Sequence, residues 1–184
     1  MGGAGNLLLY AKDSAQASSV AADAEMEIER IEQRYSRYRS GNLMSRINTA
    51  AAEGKSVEVD DETSALINYA FACYKHSNTL FDISSGILRK AWDFTTGTIP
   101  STETIARLLP HIGLDKIRWQ KPLLEFTVPG MELDFGGIAK EYAADRAASI
   151  CASNWSRSFC TWRNCSSTAR SCARDTGTSA PPLA

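Results

Sequence analysis

Hydrophobic residues in the first 150 positions recur at spacings that predict alternating strands and helices. The apolar run at residues 6–11 predicts a buried strand, and Ser14 is suited to cap the helix that follows. In this helix, apolar side chains recur at steps of three or four, the spacing of one buried helical face. They are Val20, Ala24, Ile28, Ile31, Tyr35 and Tyr38.

The next segments predict a loop, an edge strand and a second helix. Residues 40–48 indicate a loop with a short turn, and residues 55–59 indicate an edge strand. The helix beginning near residue 60 opens with acids that suit the positive end of its dipole. Its buried face is predicted to carry Leu66, Ala70, Cys73 and Ser77.

The remainder of this region predicts short elements of both kinds. Residues 81–94 indicate a strand turning into a short helix. Pro100 and Ser101 open another helix, which Gly113 stops and whose inward residues are Ile105, Leu108 and Leu109. A hairpin is predicted between residues 123–128 and 131–135, with Pro129-Gly130 as its turn. Helices mixed with antiparallel strands indicate the α+β class.

Composition changes abruptly at Cys151. Residues 151–184 contain no Val, Ile, Met, Glu or Lys, yet hold four of the five cysteines. Such a segment has little apolar surface to bury, and its Cys and Trp content is unlike that of an ordinary linker. We therefore predict two parts, a folded part at residues 1–150 and an aberrant tail at 151–184, entered by out-of-frame translation near Ile150.

Two alternatives for this tail stay open, a natural flexible segment and a small zinc module. Zinc sites supply ligands in close pairs such as Cys-x2-Cys, whereas these cysteines are separated by eight, four and six residues. The spacing therefore argues against zinc.

Charge and hydropathy limit the possible partners. The formal net charge is −1, so the chain has no global basic field of the kind that nucleic-acid or anionic-membrane binders use. The sequence has no apolar run of the roughly 18 residues that a membrane span needs, and it opens without the pattern of an export signal. The expectation is a cytoplasmic protein without nucleic-acid partners or a membrane span.

One stretch has the composition of a phosphate-binding connection. Asp134 ends a predicted strand, Gly136 and Gly137 let the backbone approach a ligand, and Lys140 lies in the first turns of the next helix. Free N–H groups at a helix start favour an anion. A tight strand-to-helix connection with no ligand explains the same residues.

Two further clusters carry polar groups beside aromatic rings. Residues 80–94 place Asp82, Ser84 and Ser85 near Trp92 and Phe94, which suits an aromatic ligand or a core tryptophan. Residues 36–48 hold Arg37, Tyr38, Arg39, Arg46 and Asn48, which by themselves indicate a solvated helix end. His76 and His111 have no obvious partner.

These clusters, in this order, resemble the FAD:protein FMN transferase family, called ApbE. The resemblance covers residues 1–150 and rests on "MGG" before a strand, "YSRYRSGNLMSRIN", "LFDISSGILRKAWDF" and "ELDFGGIAKEYAADRA". It implies a mixed α/β fold that binds FAD with a divalent metal, usually Mg²⁺. It also implies transfer of FMN onto a threonine or serine hydroxyl of an acceptor flavoprotein, with release of AMP.

The resemblance also implies roles for particular residues. Met1, Tyr38, Phe81 and Asp82 would line the flavin nucleotide pocket, Asp134 would bind the nucleotide and Lys140 would lie beside it. The carbonyl of Gly137 would help to coordinate the metal, which would neutralise pyrophosphate charge as the hydroxyl attacks. The catalytic residue stays unassigned.

The chain also departs from the family pattern. Glu141 stands where the family commonly has glycine, and the later glycine-rich strand, histidine segment and metal-binding Asp and Thr or Ser do not follow Ile150. The prediction is therefore a chain that does not transfer FMN as written. The alternatives are a non-catalytic FAD- or nucleotide-binding fragment and a poorly folding one. The family is often exported or membrane-anchored, which leaves the cellular location open.

Overall fold

A computed structural model of the chain describes residues 5–9, 11–92, 97, 99–153 and 161–164, with only the backbone of residues 5–6 and 161–164. The chain divides into two compact units. One comprises residues 1–29 and 141–184, and the other residues 30–140. Helices and antiparallel strands occur together, which confirms the α+β class.

The first unit contains a two-stranded antiparallel sheet and a small helical core. Strand β1 (Gly5–Leu8) pairs with β5 (Thr161–Asn164), and helices α1 (Ser14–Tyr35) and α5 (Ala139–Ser153) contribute to the core. The buried residues of this core are Val20, Ala24, Ala147 and Cys151, with Leu7, Leu9 and Ile28 packed against them.

The beginning of α1 differs from the prediction. The carboxylate of Asp13, not the hydroxyl of Ser14, accepts the hydrogen bond from the Gln16 amide, at 2.8 Å. The predicted apolar stripe is buried at Val20, Ala24, Ile31 and Tyr35. Tyr38 lies beyond the last turn of the helix and is 80% exposed, so its place in the stripe was wrong.

The segment predicted as a loop at residues 40–48 contains most of a helix, α2 (Leu43–Glu53). Asn42 begins it, because its side-chain oxygen accepts a hydrogen bond of 2.8 Å from the Ser45 amide. Gly54 ends it in the left-handed conformation, at φ 65°. The polar Ser-Gly-Asn run therefore caps a helix whose buried residues are Met44, Ile47, Ala50 and Ala51.

The three-stranded sheet of the second unit has the order β2-β4-β3, all antiparallel. Strand β2 (Ser56–Glu58) lies at an edge, as predicted. The hairpin joins β3 (Ile117–Gln120) to β4 (Leu123–Phe126) through the cis Lys121-Pro122 peptide. The hairpin predicted around Pro129-Gly130 was therefore wrong.

Residues 131–135 are held by other contacts. The Asn48 amide donates to the Leu133 carbonyl at 3.0 Å and accepts from the Leu133 N–H at 2.7 Å. Glu132 forms a single parallel bridge with Ser85. The Asn48 side chain of α2 thus makes the hydrogen bonds that a neighbouring strand would otherwise make. The alternation of residues along the chain does not predict this long-range contact.

Helix α3 (Asp61–His76) was predicted correctly, and Asp60 caps it. Its predicted inner face is buried at Leu66 and Ala70, and partly buried at Cys73 and Ser77. Near residue 85 the chain forms only the bridge to Glu132 before a 3-10 helix at Gly86–Lys90, so the predicted strand is reduced to one residue pair.

Helix α4 (Thr102–Leu108) begins after Ser101, whose hydroxyl accepts from the Thr104 amide at 3.2 Å. Leu109 was wrongly predicted to face inward, since 53% of it is exposed. Apolar spacing over so short a helix does not define a buried face.

Helix α5 continues past residue 150, and Cys151 is fully buried on it. A boundary at residue 150 between a folded part and a tail stays a prediction. Among the helices that the structure describes, none is both long and apolar enough to cross a membrane.

Candidate functional site

Backbone N–H groups in the connection from Phe135 to α5 form hydrogen bonds within the connection itself. The Gly136 amide donates to Oδ1 of Asp134 at 2.8 Å. The amides of Ile138 and Ala139 both donate to the Phe135 carbonyl, at 2.9 and 2.7 Å. These three N–H groups already have partners, so the free amides expected at this helix start are fewer than the sequence suggested.

Asp134 is held by contacts to two of the other clusters. Its second oxygen, Oδ2, lies 2.9 Å from Nη1 of Arg37. The Asp134 amide donates to the Ile83 carbonyl at 2.8 Å, which ties its backbone to the second cluster. The carboxylate is half-buried and held at both oxygens.

Arg37 also contacts Tyr38. Its Nη2 donates to the Tyr38 hydroxyl at 2.9 Å, and its guanidinium carbon lies 5.0 Å from the ring centroid. The Nε of Arg37 is buried and has no hydrogen-bond partner in the described part of the chain. An unsatisfied buried donor costs about 1–3 kcal/mol.

Two glycines allow the second and third clusters to approach each other. A β-carbon at Gly86 would lie 2.9 Å from Cβ of Asp134. A β-carbon at Gly137 would lie 3.0 Å from Cε2 of Phe81. Real β-carbons almost never come as close as the one at Gly86 would, so that position requires a residue without a side chain. A β-carbon at Gly137 would make a tight contact, from which the Phe81 ring would have to shift.

Asp82 is used within its own turn. Its Oδ1 accepts hydrogen bonds from the Ser84 amide at 2.8 Å and from the Ser84 hydroxyl at 2.6 Å. The Ser84 hydroxyl oxygen in turn accepts from the Gly113 amide at 2.7 Å. One carboxylate oxygen of Asp82 thus orders the loop around Phe81.

A cleft of about 340 Å³ lies beside Arg37, between α2 and Glu132. Glu132, whose side chain is only 8% exposed, pairs there with Nε of Arg89. The hydrogen bond to Glu132 raises the pKa of Arg89, and Tyr38 and Asp134 add to this effect through their charges. The cleft is lined by Arg37, Ser45, Asn48, Thr49, Ala52, Glu53, Arg89 and Glu132.

The structure brings together four of the predicted site residues in two pairs. Arg37 contacts both Asp134 and Tyr38 and so connects them, and Phe81 packs against Gly137. Asp82 lies next to Phe81, and Lys140 is exposed in the first turn of α5. Met1 and Phe94 lie outside the described residues. His111 has a partner after all, the Pro129 carbonyl at 2.9 Å.

Sequence reasoning missed Arg37 and Glu132. Arg37 was read as part of a solvated helix end, and Glu132 was not singled out within the strand predicted at residues 131–135. An acid between apolar residues of that predicted strand was the available signal, because a carboxylate buried there requires a cation.

The described residues do not supply a complete metal site. They contain no cluster of three or more His, Cys, Asp or Glu side chains placed to hold a metal ion. Gly137 offers one backbone oxygen, and the Asp134 carboxylate is already engaged by Arg37 and Gly136. No catalytic step through a metal can be built on these residues.

Fold and site together describe an α+β protein in which a glycine-rich connection meets an aromatic loop and an arginine–aspartate pair. A sequence profile of the ApbE family matches residues 1–161. The chain belongs to the ApbE family. No curated protein sequence matches it.

Solved structures agree with this family. The ApbE protein of Thermotoga maritima is 25% identical to this chain, with a TM-score of 0.79. The match covers 89% of this chain and 53% of the Thermotoga protein. Flavin transferase ApbE of Vibrio cholerae is 19% identical, with a TM-score of 0.74 and coverages of 84% and 51%.

The flavinyl transferase ApbE of Pseudomonas stutzeri, in its apo form, is 20% identical with a TM-score of 0.67. The match covers 82% of this chain and 53% of the Pseudomonas protein. The chain therefore spans about half the length of the structures it matches.

Proposed function

We propose that this chain contributes the FAD-binding part of a flavin transferase, which moves FMN from FAD to a Thr or Ser hydroxyl of an acceptor flavoprotein. In that reaction the hydroxyl oxygen bonds to the phosphorus of the FMN half. The bond between this phosphorus and the bridging oxygen breaks, and AMP leaves with the electron pair while the hydroxyl proton is released.

The observation that carries the proposal is the meeting of three separate motifs. Arg37 of the first motif pairs with Asp134 of the third, and Phe81 of the second packs against Gly137 of the third. A ligand pocket needs converging polar groups beside an apolar face, and this cluster supplies both. Family membership and the flavin transferases among the structural relatives support flavin as the ligand.

Within this site we assign Asp134, Tyr38, Phe81, Asp82 and Lys140 to the flavin nucleotide, together with Met1. Lys140 is exposed and carries the positive charge that suits a pyrophosphate. We assign the Gly137 carbonyl to Mg²⁺ as one ligand of several.

Equilibrium dialysis with FAD tests this proposal. We expect saturable binding at micromolar FAD, weakened about tenfold by Asp134→Ala through loss of a charged hydrogen-bonding group. Asp145→Ala, which removes an exposed carboxylate from α5, is the matched control and should bind as the wild type does. Absence of saturable binding by the wild-type chain would overturn the proposal.

Binding without transfer is the second candidate, favoured because the described residues hold no cluster of His, Cys, Asp or Glu placed for a metal ion. Incubation with FAD, Mg²⁺ and an acceptor flavoprotein separates the two functions. We expect bound FAD but no covalent FMN on the acceptor. Covalent attachment dependent on Mg²⁺ would show that the chain is a complete transferase.

A further inference from the structure

Arg37 connects two of the residues assigned to the nucleotide. Its Nη1 lies 2.9 Å from Oδ2 of Asp134, and its Nη2 donates to the Tyr38 hydroxyl at 2.9 Å. One guanidinium therefore contacts a carboxylate and a phenol at the same time. The planar fork of arginine suits this geometry, whereas a lysine ammonium is a single point of charge.

Each partner depends on this contact for its orientation. The other oxygen of Asp134 accepts the Gly136 amide at 2.8 Å, so the two contacts together fix the plane of the carboxylate. The Tyr38 ring is 80% exposed and has little packing to restrict its rotamers. Stacking of the guanidinium 5.0 Å from the ring centroid supplies that restriction.

The arrangement leaves one donor of Arg37 unmatched. The Arg37 side chain is 17% exposed, and its Nε is buried without a hydrogen-bond partner in the described residues. Burying a guanidinium with an unpaired donor lowers the stability of the fold. An arginine kept there at this cost is better explained by what it holds in place.

We propose that Arg37 is a positioning residue for the nucleotide site, which holds Asp134 and Tyr38 in the orientation in which they meet the flavin nucleotide. This inference rests on the proposed function. Arg37 acts through its two partners and does not itself contact the nucleotide.

FAD binding by Arg37 variants tests the inference. We expect Arg37→Met to weaken binding about tenfold, which is about 1.4 kcal/mol, and Arg37→Lys to weaken it less because one ion pair is retained. Arg107→Met removes the same charge from an exposed position on α4 and should leave binding unchanged. Circular dichroism and thermal unfolding establish that each variant is folded.

A double-mutant cycle with Asp134→Ala and Tyr38→Phe separates positioning from direct contact. If Arg37 acts through its partners, Arg37→Met adds little once both have been changed. Additive losses would show that Arg37 contacts the nucleotide itself, and would overturn the inference.

A measurement without ligand completes the test. The Gly136 amide is bonded to Asp134, so we expect its hydrogen exchange to be about tenfold faster in Arg37→Met and unchanged in Arg107→Met. Unchanged exchange, or unchanged FAD affinity in a chain that binds FAD, would overturn the inference alone. A wild-type chain that does not bind FAD would overturn the proposed function, which is a different result.

Discussion

Gly137 packs so closely against Phe81 that a β-carbon there would lie 3.0 Å from Cε2 and 3.3 Å from Cζ of the ring. The ring position is therefore set by the absence of a side chain at residue 137. This contact joins two motifs that are more than fifty residues apart in the sequence.

Gly137→Ala should displace the Phe81 ring. Overpacking of this kind costs about 1–3 kcal/mol, and we expect the lower end because a half-buried ring can rotate away. Chemical denaturation measures the loss. Adding Phe81→Leu should recover part of it by opening space, whereas a double variant as unstable as the sum of the two single changes would contradict steric contact as the cause.

The buried hydroxyl pair of Tyr35 and Thr63 should be strongly coupled. The two oxygens lie 3.0 Å apart, and both residues are buried. Tyr35→Phe leaves the Thr63 hydroxyl short of one partner and should cost about 1–2 kcal/mol. Arg34 also donates to both hydroxyls, at 3.2 and 3.4 Å, and retains Asp60 and Glu62 as partners when the hydroxyls are removed. Tyr35→Phe with Thr63→Val leaves neither hydroxyl unmet and should therefore cost less than the two separate changes together.

Denaturation of the four proteins of this cycle measures the coupling free energy. The Tyr35 ring also packs against Phe135, with centroids 5.6 Å apart, and phenylalanine keeps that contact. Strict additivity would show that the hydrogen bond contributes nothing beyond the two separate groups.

Asp60 should contribute stability that is lost in acid. Desolvation alone would raise the pKa of Asp60, but hydrogen bonds from Thr63 and from the Arg34 guanidinium outweigh it and lower the pKa below the ordinary 3.8. A carboxylate with a lowered folded-state pKa stabilises the fold above the unfolded pKa. This stability disappears as the pH falls from about 4 through the folded pKa.

The variant Asp60→Asn keeps a capping oxygen and removes the charge. We expect it to be less stable than the wild type at pH 7 by up to about 1 kcal/mol, and nearly equal to it at pH 2.5, by urea denaturation. Asp61→Asn, at the next and more exposed position, removes only a surface ion pair with Lys121 and is the control, which should change stability little at either pH. A gap of the same size at both pH values would contradict the role of the Asp60 charge.

The composition change at Cys151 leads to a prediction about the gene. If residues 151–184 come from out-of-frame translation, another reading frame after codon 150 should encode a glycine-rich strand and the Asp and Thr or Ser of the family's metal site. Sequencing of the gene and translation of all three frames checks this. Finding none of these motifs in any frame would establish residues 151–184 as the natural sequence.

Local signals predicted the helices with strong caps and long apolar stripes. Helix α3 begins with acids, of which Asp60 caps it, and α1 repeats its apolar positions over about four turns, so both were identified from the sequence. Helix α2 was missed because Ser40, Gly41 and Asn42 have the composition of a loop. The helix begins there because the side chain of Asn42 caps it.

The motifs of the candidate site were visible in the sequence, but their connections were not. Asp134, Gly137, Tyr38 and Phe81 were selected from short local patterns and from a resemblance. Arg37 was dismissed as solvated, since nothing within its own segment indicates that a carboxylate ninety-seven residues later lies 2.9 Å from it.

The sequence alone determined the α+β class, the acidic start of α3, the apolar stripe of α1 from Val20 to Tyr35, and the residue types gathered at the site, because these depend on neighbours within a few positions. Only the tertiary structure decided which hairpin forms, how Asn48 anchors Leu133, and that Arg37 joins Tyr38 to Asp134. Those contacts depend on the packing of segments distant in sequence, where burial and unsatisfied polar groups select the partners.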